Sequence, residues 1–182
     1  MYWETPGREN TAATVRLALA KAEEKDIGYI VVASNSGETA KLFQPSARRV
    51  VCVTHHSGYQ TPGENEMSQE VRRELTEKGY AVLTTTHLFA NVERAVTRQF
   101  GGLYVGGLIA GALRMFGQGV KVCCETAVMA LDAGLIPYGE DIIAVGGTSR
   151  GADTAIIIRP AHANDFLATE IREIICKPRH CR

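Results

Sequence analysis

The segment Tyr29-Ile30-Val31-Val32-Ala33-Ser34-Asn35-Ser36-Gly37-Glu38-Thr39-Ala40 joins a short apolar run to a turn rich in hydroxyls. Val31 and Val32 suit a strand buried on both faces, the condition of a parallel strand inside an α/β layer. The turn then reads as the opening of a short helix over 37–43, and a helix start carries unpaired N–H groups and partial positive charge. Ser34, Asn35, Ser36, Gly37, Glu38 and Thr39 thus bring hydroxyl and backbone N–H donors to a place where an anion needs no lysine. The segment lacks the Gly-Lys-Ser/Thr of a nucleotide-hydrolysing P-loop and the three-glycine dinucleotide spacing. Two readings therefore stand side by side: an anion cradle, or a tight strand-to-helix turn with a serine N-cap.

Upstream, Asn10-Thr11 caps a helix carrying Val15, Leu17, Leu19 and Ala22 and ending near Gly28. Downstream, the apolar run 49–54 makes a second strand, parallel to the first, that ends in His55-His56-Ser57-Gly58-Tyr59. Residues 64–79 read as a charged amphipathic helix with Met67, Val71 and Leu75 on one face, closed by Gly79 before a strand over 80–84. A long helical block over 91–134 is broken by glycines near 101 and 117–119, and its part from 120 to 133 is almost all core-like.

Two apolar stretches, 142–145 and 154–158, flank Gly146-Gly147-Thr148-Ser149-Arg150-Gly151-Ala152-Asp153 and read as an antiparallel hairpin that Pro160 stops. Leu167, Ile171, Ile174 and Ile175 recur at mostly helical spacing over 164–177, with a short strand as the alternative. The sum is a single α/β domain over 1–182. It is expected as three layers, α/β/α, with a mostly parallel sheet of about five strands and a final antiparallel hairpin.

Composition narrows the function classes. Twenty basic and twenty acidic residues give no net charge, and no basic stripe is interleaved with aromatics, so nucleic acid is not the expected partner. Five cysteines, Cys52, Cys123, Cys124, Cys176 and Cys181, show no metal-ligand spacing and follow no secretory signal, which implies a reducing cytoplasm and no metal site. Cys52 belongs to core packing, Cys181 reads as an exposed tail thiol, and no cysteine is assigned a catalytic role. Residues 100–117 are apolar but glycine-rich, contain Arg114 and barely reach spanning length, so a membrane helix is rejected. Their Gly102/Gly106 and Gly107/Gly111 spacing suits a buried helix packed closely on another helix or subunit, and hence a homo-oligomer.

Three strand ends carry polar turns, at Ser34-Asn35-Ser36, Thr54-His55-His56 and Thr84-Thr85-Thr86-His87. In a parallel sheet these share one edge, where open α/β folds bind ligands, and the glycine-rich loop 146–153 joins them there. The plainer readings are exposed turn histidines at 55 and 56, a helix-capping His87, an edge-exposed or functional Glu125, and an Arg150–Asp153 pair confined to its loop.

With Ser-Asn-Ser-Gly-Glu-Thr-Ala at 34–40 and Gly-Glu-Asp-Ile-Ile-Ala-Val-Gly-Gly at 139–147, most of the chain resembles the C-terminal α/β domain of pyruvate kinase. It resembles more closely the stand-alone proteins similar to that domain, and residues from about 67 to 137 are of the stand-alone type. In pyruvate kinase the corresponding Ser/Thr-Gly loop grips a phosphate of a sugar-bisphosphate effector. Here the small domain consumes all 182 residues, leaving nothing for the catalytic barrel, so no pyruvate kinase activity is expected. Glu38 stands where the kinase loop tends to be basic, which favours one phosphate over two.

The resemblance implies flavin mononucleotide (FMN) as cofactor, since the stand-alone relatives are associated with it. On that reading Ser34, Asn35, Ser36, Gly37, Glu38 and Thr39 hold the phosphate. Thr54, His55, Thr84, Thr85, Thr86 and the loop containing Gly146, Gly147, Thr148, Arg150, Gly151 and Asp153 surround ribityl and ring, with Arg150 and Asp153 at the ring's polar edge. The function expected is binding of a phosphate-bearing cofactor, with a flavin-dependent oxidoreductase as the enzymatic form. The alternatives are a non-catalytic regulatory module for a phosphorylated metabolite and an oligomeric scaffold with a vestigial pocket. No residue is assigned as catalytic.

Overall fold

The structure, a computed structural model, describes residues 1–45, 48–90 and 92–180. In chain order its elements are β1 (Tyr2–Trp3), α1 (Thr11–Glu24), β2 (Tyr29–Ala33), β3 (Arg49–Val53), α2 (Gln69–Glu77), β4 (Ala81–Leu83), α3 (Val92–Phe100), α4 (Val105–Arg114), α5 (Gln118–Asp132), β5 (Ile142–Gly146), β6 (Thr154–Arg159) and β7 (Glu170–Pro178). The strands form one sheet in the order β1-β7-β6-β5-β2-β3-β4. Strands β4, β3, β2 and β5 run parallel, β6 is antiparallel to both of its neighbours, and β1 adds parallel to β7.

Period-two alternation sorts the strand side chains onto two faces. Ile30, Val32, Val50, Cys52, Ile143 and Val145 pack with Val15, Ala18 and Ala22 of α1 and Leu75 of α2. Their neighbours Val31, Val51, Val53, Ile142 and Ala144 pack with Val120, Cys123, Ala127 and Ala130 of α5. The three-layer α/β/α architecture therefore follows directly from the alternation of buried residues in β2, β3 and β5.

The sheet has seven strands rather than about five. Strand β7 replaces the mostly helical spacing read over 164–177. Its ladder to β6 shifts register between Ala155 and Ile156 and again between Ile157 and Ile158. Each bulge inserts a residue that breaks strict alternation, so Ile171, Ile174 and Ile175 imitate a helical period. Strand β1, only two residues long, was beyond reach of a pattern.

Three helices also differ. The helix read over 37–43 is a single 3-10 turn at Ala40–Leu42, too short for a helix-dipole argument. Helix α2 starts at Gln69 because the Ser68 hydroxyl accepts from Val71 N (3.3 Å) and fixes the cap there, five residues after the expected 64. Residues 100–117 do not form a buried helix: in α4 only Ala110 is buried, while Leu103, Val105, Leu108, Met115 and Phe116 are exposed. The positions Asn91 and Cys181 lie outside the described residues. Among the described residues no helix is long and apolar enough to cross a membrane.

Helix α5 reaches the sheet through Gly119, where a Cβ would meet Thr154 Oγ1 at 2.0 Å and Thr154 Cβ at 2.4 Å. Gly119→Ala is therefore expected to overpack the α5–β6 contact and lower unfolding free energy by about 1–3 kcal/mol. Urea denaturation measures it; unchanged stability would mean that α5 is not seated on β6 at this distance.

Candidate functional site

At the C-terminal end of β2 the chain leaves the sheet without entering a regular helix. Ser34 is absorbed into the fold: its N–H donates to Val53 O (2.9 Å) and its hydroxyl accepts from Ala40 N (3.3 Å). Ser34 thus ties the turn together but is not an N-cap: the cap position of the 3-10 turn at Ala40–Leu42 is Thr39, whose side chain makes no capping hydrogen bond. The next five amides, those of Asn35, Ser36, Gly37, Glu38 and Thr39, have no acceptor among the described residues. Consecutive open N–H groups of this kind make an anion-binding concavity even where no helix follows. Gly37 is required by the turn itself: its φ is +86°, and a Cβ would meet Val71 Cγ1 at 2.8 Å.

A cleft of about 790 Å³ opens on this turn. Asn35, Ser36, Glu38 and Thr39 form one wall, Ser149, Arg150 and Gly151 another, and Arg8, Glu9 and Thr11 a third. Most of its charges are already paired. Arg8 meets Glu38 at 3.3 Å, Lys41 bonds Glu74, and Glu66 bonds His55. Arg150 also lines the cleft, is exposed, and has no acid partner among the described residues.

The third wall was invisible in sequence because it depends on β1. Trp3 Nε1 donates to Asp153 O (2.7 Å) and Gly7 N to Asp153 Oδ2 (3.0 Å), which draws the N-terminal segment across the sheet edge. Asp153, fully buried, accepts further from Thr148 N (3.1 Å) and Thr154 Oγ1 (2.8 Å). It therefore holds the loop and is not at a ligand's polar edge, and its carboxylate does not pair with Arg150. Gly151 (φ +75°) lies against Thr11 and Arg8, where a Cβ would come within 2.4 Å of Thr11 Oγ1 and 2.8 Å of Arg8 Cα.

A second chamber, about 210 Å³, adjoins the cleft and shares Ala33, Asn35, Ser149 and Gly151 with it. Thr54, His55 and Gly147 line it as expected, together with Tyr59, His87 and Glu125. The threonine corner is corrected. Thr84 is tied to Thr54 Oγ1 (2.6 Å) and to Arg72, and Thr84, Thr85 and Thr86, which follow the three-residue edge strand β4, line neither cavity. Gly146 and Thr148 are also outside both linings, the former buried under α5 and the latter turned to Asp153.

Glu125 is buried rather than edge-exposed. One oxygen accepts from Phe89 N (3.0 Å) and the other binds Lys121, itself buried. Burial pulls the Lys121 ammonium below its usual pKa, against the attraction of Glu125. Burial also lowers His87 to about 4, overcoming the opposite pull of Glu125, so its imidazole is neutral at physiological pH. Buried thiols are pushed the other way: Cys52 and Cys124 rise to about 12, which leaves no reactive cysteine there. Among the described residues no three His, Cys, Asp or Glu side chains converge as metal ligands.

The model of the pyruvate kinase alpha/beta domain family matches residues 12–158. The chain belongs to that family. Among solved structures it is similar to pyruvate kinase from Cryptosporidium parvum, at 18% identity over 81% of this chain and 22% of that one, with a TM-score of 0.43. The same enzyme in complex with ADP gives 18% identity, 80% and 22% coverage and a TM-score of 0.41. A third structure of it gives 16%, 80%, 21% and 0.40. The chain thus spans about a fifth of the length of these kinases.

Because His87 sits at about 4 when folded and near its ordinary 6.5 when unfolded, the unfolded chain takes up the proton first as pH falls. Its contribution to stability is complete above about pH 6.5 and is lost as pH drops toward 4. His87→Gln is expected to flatten the stability–pH profile between these limits, as read by urea midpoints at several pH values; an unaltered slope would place the titration elsewhere.

Proposed function

We propose that this protein binds a phosphate-bearing cofactor, FMN fitting best, with the phosphate on the amides of Asn35 to Thr39. The observation carrying this reading is the run of five backbone N–H groups without acceptors among the described residues, on the wall of a cleft of about 790 Å³, within the ordinary range of cofactor sites. Charge supports one phosphate: Arg8 already neutralises Glu38, and Arg150 supplies an uncommitted cation. The Ser36 and Thr39 hydroxyls add donors, and the open remainder of the cleft leaves room for a ribityl chain and ring.

FMN supplies one- and two-electron chemistry when bound. The chain's part is to hold the phosphate at 35–39, to counter its charge with Arg150, and to wall the cleft with the Arg8 segment and the loop through Gly151. An oxidoreductase is the enzymatic form of this proposal and a metabolite-sensing module its non-catalytic alternative. The buried, unpaired Cys52, Cys123, Cys124 and Cys176 support a reducing compartment such as the cytoplasm.

We further infer that the chain self-associates through α4. Leu103, Val105, Leu108, Met115 and Phe116 are exposed together, an apolar patch of the kind that marks an interface. On the same helix a Cβ at Gly111 would touch nothing and one at Gly107 only Leu103, so large and small residues alternate in a way suited to a second copy of this helix. Leu108→Arg is expected to shift an oligomer to monomer in analytical ultracentrifugation at micromolar concentration. A wild-type monomer at every concentration would contradict the inference.

The cofactor reading is tested by the visible spectrum of protein purified without added ligand, where bound oxidised flavin gives a yellow colour, expected at about one flavin per chain. Substituting Gly37 would confound the test, since its Cβ strikes α2. Ser36 is exposed, so Ser36→Asp sets a negative charge on the cradle without touching the core and is expected to abolish retained flavin at unchanged stability. Colourless wild-type protein that FMN fails to recolour would overturn the proposal. Retention in the aspartate variant would move the phosphate elsewhere.

A further inference from the structure

The chamber beside the cleft is built differently from the cleft itself. Three rings line the chamber: His55 stacks on Tyr59 with centroids 3.7 Å apart, and His87 stands 5.4 Å from His55 and 5.9 Å from Tyr59, with His56, outside the lining, also 5.4 Å from His87. Its deep side carries Glu125, with both oxygens already committed to Phe89 N and Lys121. An ion pair this buried is expensive to desolvate, and apolar residues would pack the same space at less cost. The His87 ring, by contrast, has no hydrogen-bond partner among the described residues while it lines the chamber, so its nitrogens are available to an occupant.

Size and charge define what the chamber takes. At about 210 Å³ it exceeds the roughly 150 Å³ in which benzene settles in an engineered protein cavity. Lys121 and Glu125 cancel, so the interior is close to neutral and offers nothing to offset the burial of a net charge. His87 faces His55, His56, Glu125 and Lys121, with Tyr59 beside it and Glu66 beyond His55.

We propose that this chamber is a second ligand site, for a small planar ring bearing an uncharged carbonyl group, and that the neutral imidazole of His87 donates a hydrogen bond to that carbonyl. Neutral imidazole is the form that polarises a carbonyl without adding a charge to a dry site. Because the chamber opens beside the cleft, it places such a ring next to whatever occupies the cleft. The proposal rests on the cofactor reading only for what the ring meets there, whereas the chamber's selectivity stands on its own side chains. His87 is a binding and polarising residue in this account, and no bond-making step is assigned to it.

Benzamide and benzoate are the probes, one an uncharged aromatic carbonyl and the other its charged counterpart. In two-dimensional NMR of the full chain, benzamide at millimolar concentration is expected to shift the Met129 methyl, the Tyr59 ring and the His87 ring nitrogens, and to bind at least about tenfold more tightly than benzoate. Val122→Phe, which fills the chamber, is expected to abolish these shifts. His87→Leu, which keeps roughly the size but removes the ring N–H donor, is expected to weaken benzamide by about tenfold, the scale of one hydrogen bond.

Inorganic phosphate added to the same samples reports the Asn35 to Thr39 amides separately. Benzamide shifts with no phosphate shifts would sink the cofactor reading and leave the chamber standing. Benzamide shifts absent, confined to 35–39, no stronger than those of benzoate, or unaffected by both substitutions would overturn the chamber proposal.

Discussion

The buried carboxylate of Asp153 holds the functional edge in shape. It accepts from Gly7 N, Thr148 N and Thr154 Oγ1, while its own backbone carbonyl accepts from the Trp3 indole. The N-terminal segment, far away in sequence, is thereby joined to the glycine loop and the start of β6 at one residue. Charge-assisted bonds of this sort are about twice as strong as neutral ones, and a buried carboxylate without them would be costly to retain. Both cavities have walls fixed by this junction, since Ser149 and Gly151 border each of them.

The sheet was legible where residues alternate without interruption. Ile30, Val31 and Val32, with Val50, Val51 and Cys52, already imply a strand pair buried on both faces, and the glycines at 101, 102 and 117 mark the helix breaks with positive φ. Elements that owe their existence to distant partners were not legible. Strand β1 exists because β7 and Asp153 receive it, and β7 hides its period behind two bulges. The site followed the same rule. The turn at 34–39 and the loop through Arg150 and Gly151 could be placed from strand ends alone. Arg8 and the burial of Glu125 required contacts across tens of residues, whereas Tyr59 and Lys121 meet His55 and Glu125 only one helical turn's distance away in sequence.

The single 3-10 turn at Ala40–Leu42 alters the physics of the proposed anion site. A regular helix would supply a macrodipole along with its free amides. The single 3-10 turn supplies the amides without a sustained dipole, leaving the long-range electrostatic pull to Arg150, since the Arg8–Glu38 pair across the mouth is neutral. That arrangement suits a ligand whose charge sits at one end, held by short hydrogen bonds, with the rest of its surface in a weakly charged cleft.

The central claim, that ligand affinity resides in a phosphate on the amides of Asn35 to Thr39, is tested most directly by calorimetric titration of the apoprotein with FMN and with riboflavin, which differ by that group alone. The account predicts that FMN binds and that riboflavin binds at least about a hundredfold more weakly, the equivalent of one or two charge-assisted hydrogen bonds. Equal affinity for the two, or binding of neither, would contradict it.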